Sequence, residues 1–333
     1  MSVRPAAGVR ALVAAAVLAA TAAAAQAGSL RYCDRGLDPS AAQKDTLLRF
    51  AALLKRRLDA AGTPLVLLSR SGMDLSRLGV RYSHTGFSLR DSPNGAWSVR
   101  QLYFACDEGR SRLFDQGIPG FVFGTDDPAL GYVSMLLLPE AVAAPLARVV
   151  LDKSRALALL APTYSANAHA FSLLYQNCNQ WVAEMLAEAW SGRRQAAPAP
   201  TVLGRAADAD DLGDDPAAGP PAAALDPRAG AQRWLAAQGY VPETLEIGWR
   251  PLVWLAGMLP WLHNDDHPDA DLGAARYRIS LPTALEAFVR ARVPGAERIE
   301  FCHRGTQVVV HRGWSPVAEG CRPGEGDEVL ALD

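Results

Sequence analysis

Apolar positions along the chain fall into two rhythms. Leu47, Phe50, Leu54 and Leu58 recur every three or four residues, the stripe of an amphipathic helix. Asp38-Pro39 opens it, because Asp caps a helix start and Pro suits a first turn, and Gly62 stops it. Strand-like runs follow at 65–69, 80–89, 96–104, 121–123 and 132–138, punctuated by Gly, Pro and Asn. Helical periodicity returns over 140–160, with Pro145 near its start, and over 177–190, ended by Ser191-Gly192.

Between 193 and 228 the pattern lapses into Ala, Pro, Asp and Gly with an acidic cluster, the composition of a flexible linker or surface insertion. Beyond it the pattern predicts a helix near 232–238, a Trp-rich apolar run, a polar loop over 263–271, a strand near 277–281 and a helix near 284–293. A hairpin, 298–303 and 307–312, turns at Arg304-Gly305. A helix, then strands, then helices is an α+β order, not an alternating parallel one. The layout reads as residues 1–27, an export signal; 28–192, a core; 193–228, the linker; and 229–333, a C-terminal region, separate or part of the same domain.

The export signal comes from Arg4 and Arg10, the small apolar run 11–25 and the Ala25-Gln26-Ala27 cleavage site. The run is shorter than the ~20 apolar residues of a membrane span. No transmembrane span is expected after cleavage, so the protein is periplasmic or secreted. The run 251–262, with Trp249, Trp254 and Trp261 beside or within it, reads as buried core, with a membrane interface as the alternative. The 333 residues are 50% hydrophobic with a net charge of −2, ample for a core and unsuited to nucleic acid.

Export gives the five cysteines an oxidising setting, and an odd count leaves one thiol over. Cys302 and Cys321 bracket the hairpin and are expected to pair. Cys33 and Cys106 then tie the N-terminus to a strand end, although four cysteines allow three connectivities. The remaining thiol is Cys178.

Cys178 lies in Tyr175-Gln176-Asn177-Cys178-Asn179-Gln180-Trp181-Val182. Asn177 is a strong N-cap, and Gln180 three residues on completes a capping-box-like pair. The thiol therefore sits at the first helical position, where the helix dipole and unpaired N–H groups favour thiolate and an oxyanion. A buried structural cysteine is the competing reading. A thiolate needs a base. His84 occupies one face of a strand with Tyr82, Gly86 and Ser88, and Gly86 leaves room for another group to approach. On the following strand Gln101 is polar among apolar Trp97, Val99 and Tyr103, and either orients an imidazole or is a tolerated edge residue.

Ser83-His84-Thr85-Gly86 followed by Asn177-Cys178-Asn179-Gln180-Trp181-Val182-Ala183-Glu184 resembles the circularly permuted NlpC-type, papain-like cysteine hydrolases, in which the His strand precedes the Cys helix. More closely, the chain resembles a bacterial exported family known as domain of unknown function 2145, from Cys33-Asp34 to Asp265-Asp266-His267-Pro268. The resemblance implies a small antiparallel sheet packed on the Cys helix, with a C-terminal α/β extension. It implies Cys178 as nucleophile, His84 as base and Gln101 as the third polar residue, with Asn177 and Asn179 at the helix cap and oxyanion site.

The 263–271 loop holds two His and four Asp, yet lacks the Gly and closing Glu of a calcium loop and has no helix to space its His as ligands. It reads as a solvated loop or, through Asp265, Asp266 and His267, as a lid over the Cys–His site. No cofactor or metal is expected. The leading expectation is an exported cysteine hydrolase acting as amidase, peptidase or acyl transferase through a Cys178 thioester; the sequence does not name its substrate, and a cell-envelope peptide is the class that analogy offers. The alternatives are a lipid-directed acyltransferase or thioesterase, served by the Trp-rich segment, and a non-catalytic envelope binding module on the same fold.

Overall fold

A computed structural model of the chain describes residues 39–106, 108–192 and 226–332. The export segment, Asp38, Cys33 and nearly all of the 193–228 stretch lie outside the described residues. The fold is α+β. Its centre is an antiparallel eight-stranded sheet in the order β10-β9-β8-β5-β1-β2-β3-β4. These are β1 (Leu65–Arg70), β2 (His84–Leu89), β3 (Ser98–Ala105), β4 (Arg110–Gln116), β5 (Leu130–Leu137), β8 (Glu297–Arg304), β9 (Gln307–Arg312) and β10 (Glu328–Ala331). A two-stranded sheet joins β6 (Glu243–Glu246) to β7 (Arg276–Ile279).

Side chains alternate across a strand, so each face of the large sheet has its own core. Val66, Leu68 and Val99 pack under α1 (Ala41–Asp59) and α2 (Ile118–Phe123), against Phe50, Leu54, Leu58 and Phe121. Leu65, Leu67, Phe87, Leu89 and Leu102 pack on the opposite face under α3 (Glu140–Leu151), α5 (Cys178–Trp190), α6 (Pro227–Ala237) and α9 (Pro282–Arg292). β1 is covered on both sides, which is why its run is apolar without alternation.

The sheet is larger than expected because β8 pairs with β5 along its whole length, from Leu130↔Arg304 to Leu137↔Glu297. The C-terminal hairpin thus extends the central sheet. Cys302 and Cys321 form a disulfide with Cα atoms 5.7 Å apart. Of the other expected pair, Cys106 is not a free thiol, and Cys33 lies outside the described residues.

Several local expectations are corrected. α1 is capped by Ser40, in a capping box with Gln43, and not by Asp38. Residues 121–123 end a helix and are not a strand: Pro119 sits in the first turn, and Phe121 and Val122 are buried from it. The 140–160 helix breaks at Asp152, whose carboxylate accepts from the N–H groups of Ser154 and Arg155 and starts α4 (Lys153–Ala158). The Trp-rich run is not core throughout. Trp261 is buried, but Trp249 and Trp254, at the start of and within α7 (Arg250–Ala256), are 58% and 71% exposed. Among the described residues no helix is long and apolar enough to cross a membrane.

Candidate active site

Local chemistry sets the Cys178 end of the site. Asn177 Oδ1 accepts from the Gln180 N–H at 2.8 Å and caps α5. Cys178 and Asn179 are its first two helical residues, so their N–H groups have no partner within the helix. The Gln180 side chain does not complete a capping box. It donates to the carbonyls of Ala170 and Ser172 and fixes the loop before the helix. Asn179 is not a cap either: its Nδ2 donates to the Ser83 carbonyl at 3.1 Å, the carbonyl that the Cys178 thiol also faces, at 3.9 Å. The helix start is thereby tied to the residue preceding His84. Among the described residues Cys178 is the free thiol.

His84 and Gln101 are brought together. His84 Nε2 lies 2.7 Å from Gln101 Oε1, and Gln101 Nε2 donates to Gln116 Oε1 at 2.7 Å. The second bond orients the amide, so its oxygen faces the imidazole and Nε2 must carry the proton. The basic nitrogen is then Nδ1. Gly86 makes this contact possible: a methyl there would stand 2.6 Å from Val99 Cγ1 and 3.0 Å from the Arg100 carbonyl. The group that Gly86 admits is strand β3 itself.

Sulfur and imidazole come from opposite faces of the sheet. His84 shares its face with Arg70, its cross-strand partner, and its ring packs against Tyr103 and Phe121 on the α2 side. Cys178 belongs to the core of the opposite face. They meet at the strand end, where both line one cavity of about 360 Å³. No hydrogen bond joins them.

Nor is the thiol acidic at rest, as the helix position suggested. Burial pushes Cys178 up to about 11, outweighing the Arg70 charge and the N–H groups of Thr85 and Asn179 that favour thiolate. Burial, aided by the Arg70 charge and opposed by the bond to Gln101, pushes His84 down to about 3. The resting pair is a neutral thiol and a neutral imidazole.

Three groups were not legible as site residues. Gln116 completes the amide relay. Arg70 lines the cavity beside His84. Glu184 on α5 is fully buried and binds Arg228 at 2.9 Å, Gln176 at 2.6 Å and Gln232 at 2.8 Å. Arg228 also donates to the carbonyls of Ser172, Leu173 and Tyr175, clamping the approach to Cys178.

Asp265, Asp266 and His267 do not line the cavity. Asp265 accepts from the Tyr175 hydroxyl, Asp266 from the His169 N–H, and His267 Nε2 donates to the Asn167 carbonyl at 2.6 Å. They brace the wall, since Asn167 does line it. Among the described residues no cluster of three or more His, Cys, Asp or Glu is gathered that could hold a metal.

Fold and site together define an α+β protein with, among the described residues, one buried free thiol and an amide-oriented imidazole on a shared, mostly apolar cavity. The family model described as "Uncharacterized protein conserved in bacteria (DUF2145)" matches residues 57–289, and the chain belongs to that family. No curated protein and no solved structure matches the chain.

Proposed function

We propose that the protein is an exported cysteine hydrolase, related in layout to the permuted NlpC-type enzymes, that works through a thioester on Cys178. The observation that carries this reading is the Gln116–Gln101–His84 relay, which leaves Nδ1 as the basic nitrogen on the wall of the cavity that holds the free thiol. Export is supported by the N-terminal apolar run with its Ala-Gln-Ala site and by the Cys302–Cys321 disulfide.

In the reaction His84 Nδ1 takes the thiol proton as sulfur attacks the carbonyl carbon. The carbonyl electron pair moves to oxygen, facing the N–H groups of Cys178 and Asn179. Collapse expels an amine or alcohol, which leaves with the proton from His84. Water or another acceptor then attacks the thioester, its proton passes to His84, and the departing sulfur recovers that proton. The neutral resting pair requires sulfur and imidazole to close on each other when substrate fills the cavity, since apo catalytic contacts are often long.

A lipid-directed variant of this chemistry has its own support. Met73, Leu75, Leu102, Leu245, Ile247 and Leu262 make most of the wall apolar, and Trp249 and Trp254 stand exposed on the segment that leads to Leu262. A p-nitrophenyl octanoate burst stoichiometric with protein tests the enzyme reading. The burst is expected in wild type and absent in Cys178→Ala; a burst that survives in Cys178→Ala rejects it. Flotation with liposomes, lost in the Trp249→Ala/Trp254→Ala double variant, separates the lipid variant from action on soluble peptides.

A further inference from the structure

Arg70 is 4% exposed, yet no carboxylate pairs with it among the described residues. The two other buried arginines behave differently: Arg228 meets Glu184 at 2.9 Å and Arg298 meets Glu286 at 2.8 Å. Arg70 has only a neutral acceptor, the Tyr103 hydroxyl on Nη2, and a ring face, Phe121, at 5.3 Å. Its Nε and Nη1 are buried without any hydrogen-bond partner. A buried guanidinium left in that state is costly, and a fold retains one where an anion completes it.

The surroundings say where that anion comes from. Methyl groups added at Gly72 and Gly124 would stand 2.5 Å from Nη1 and 2.4 Å from Nη2, so two glycines flank the guanidinium. Arg70 belongs to the cavity wall together with Gly72 and its hydrogen-bond partner Ser83. No Lys, Asp, Glu or other Arg lines it among the described residues, so its formal charge is a single positive one on a mostly apolar wall that also carries neutral polar groups such as Ser83, Asn167 and Asn179. One buried guanidinium on a mostly apolar wall matches one negative charge on an apolar stem.

We propose that Arg70 is the anion-binding residue of this cavity and that its ligand is a monocarboxylate with an apolar stem. The proposal rests on the hydrolase reading only in naming the carboxylate that its substrate carries apart from the ester or amide bond that is cut, or that its product gains, and does not require Cys178 to react. An anion on Arg70 also offsets the charge that helps hold His84 in its weakly basic state.

Calorimetric titration of the full-length protein with octanoate, octanamide and octyl phosphate at pH 7.5 tests this. Charge-assisted hydrogen bonds predict that octanoate binds at least about 10-fold more tightly than octanamide. Arg70→Gln should abolish that preference while leaving octanamide affinity unchanged, and Arg70→Lys should keep part of it. Equal affinities in wild type, no octanoate binding, or a preference that persists in Arg70→Gln overturns the proposal. Tighter binding of octyl phosphate than of octanoate overturns the carboxylate assignment. If Arg70→Gln does not fold, the wild-type comparison and Arg70→Lys decide. The same titration on Cys178→Ala keeps the two readings apart: preference retained there, with no ester burst in wild type, leaves the anion site standing and removes the hydrolase.

Discussion

Replacing Arg228 with Met is the most demanding test of how the loop before Cys178 is held. The substitution keeps the apolar stem and removes the guanidinium. Glu184 loses its cationic partner among the described residues and retains the amides of Gln176 and Gln232. The carbonyls of Ser172, Leu173 and Tyr175 lose donors at 3.0, 2.9 and 3.0 Å. Removing one partner of a buried ion pair costs about 3–5 kcal/mol. Against a typical stability of about 5–15 kcal/mol, that is about a fifth of the total or more. The deficit should depend on pH. Burial already raises the Glu184 pKa, and losing Arg228, which opposes that rise, drives it further up. A carboxyl raised above its unfolded value favours folding only while protonated. The deficit of Arg228→Met should therefore shrink as pH falls from 8 towards 5, and Arg228→Met/Glu184→Gln should recover part of it at pH 8. Urea denaturation at both pH values measures this. A single variant within about 1 kcal/mol of wild type at pH 8 refutes the assignment of the clamp.

Gln101→Leu should cost about 1–3 kcal/mol, because it leaves the buried His84 Nε2–H unpaired, and nitrogen-15 NMR of the imidazole should detect loss of the single tautomer. Gly86→Ala should cost about 1–3 kcal/mol in urea denaturation through the clash with Val99 and the Arg100 carbonyl; an unchanged midpoint would mean that β3 is free to move. Cys302→Ala/Cys321→Ala should lose about 3 kcal/mol, as expected for a bridge closing a 19-residue separation, and reductant should lower its melting temperature by less than it lowers that of the wild type, the remaining response coming from the bridge at Cys106.

What could be read from the sequence was local or one strand away. Asn177 announces the cap of α5 because capping needs only a side-chain oxygen three residues before an N–H. Gln101 could be matched to His84 because alternation put each on a definite face of adjacent strands, with Gly86 opening the space between. The rest depended on distance in the chain. Arg70 meets His84 only through the β1–β2 register, and Arg228 reaches Glu184 across 44 positions and a stretch of irregular composition. The sequence points to an acidic thiol because a helix N-terminus is visible in it, whereas the burial that outweighs that effect is a property of packing. Trp254 looked like core because a short apolar run carries no period that separates an inner from an outer face.

Intact-mass kinetics of acylation by p-nitrophenyl octanoate test the central claim, that Cys178 and His84 act as one pair, most directly. A single octanoyl adduct is expected, mapped to Cys178, that forms at least about 100-fold more slowly in His84→Ala while that variant keeps its fold and its free thiol. An adduct that forms on Cys178 equally fast without His84, or that maps to any other residue, would contradict it.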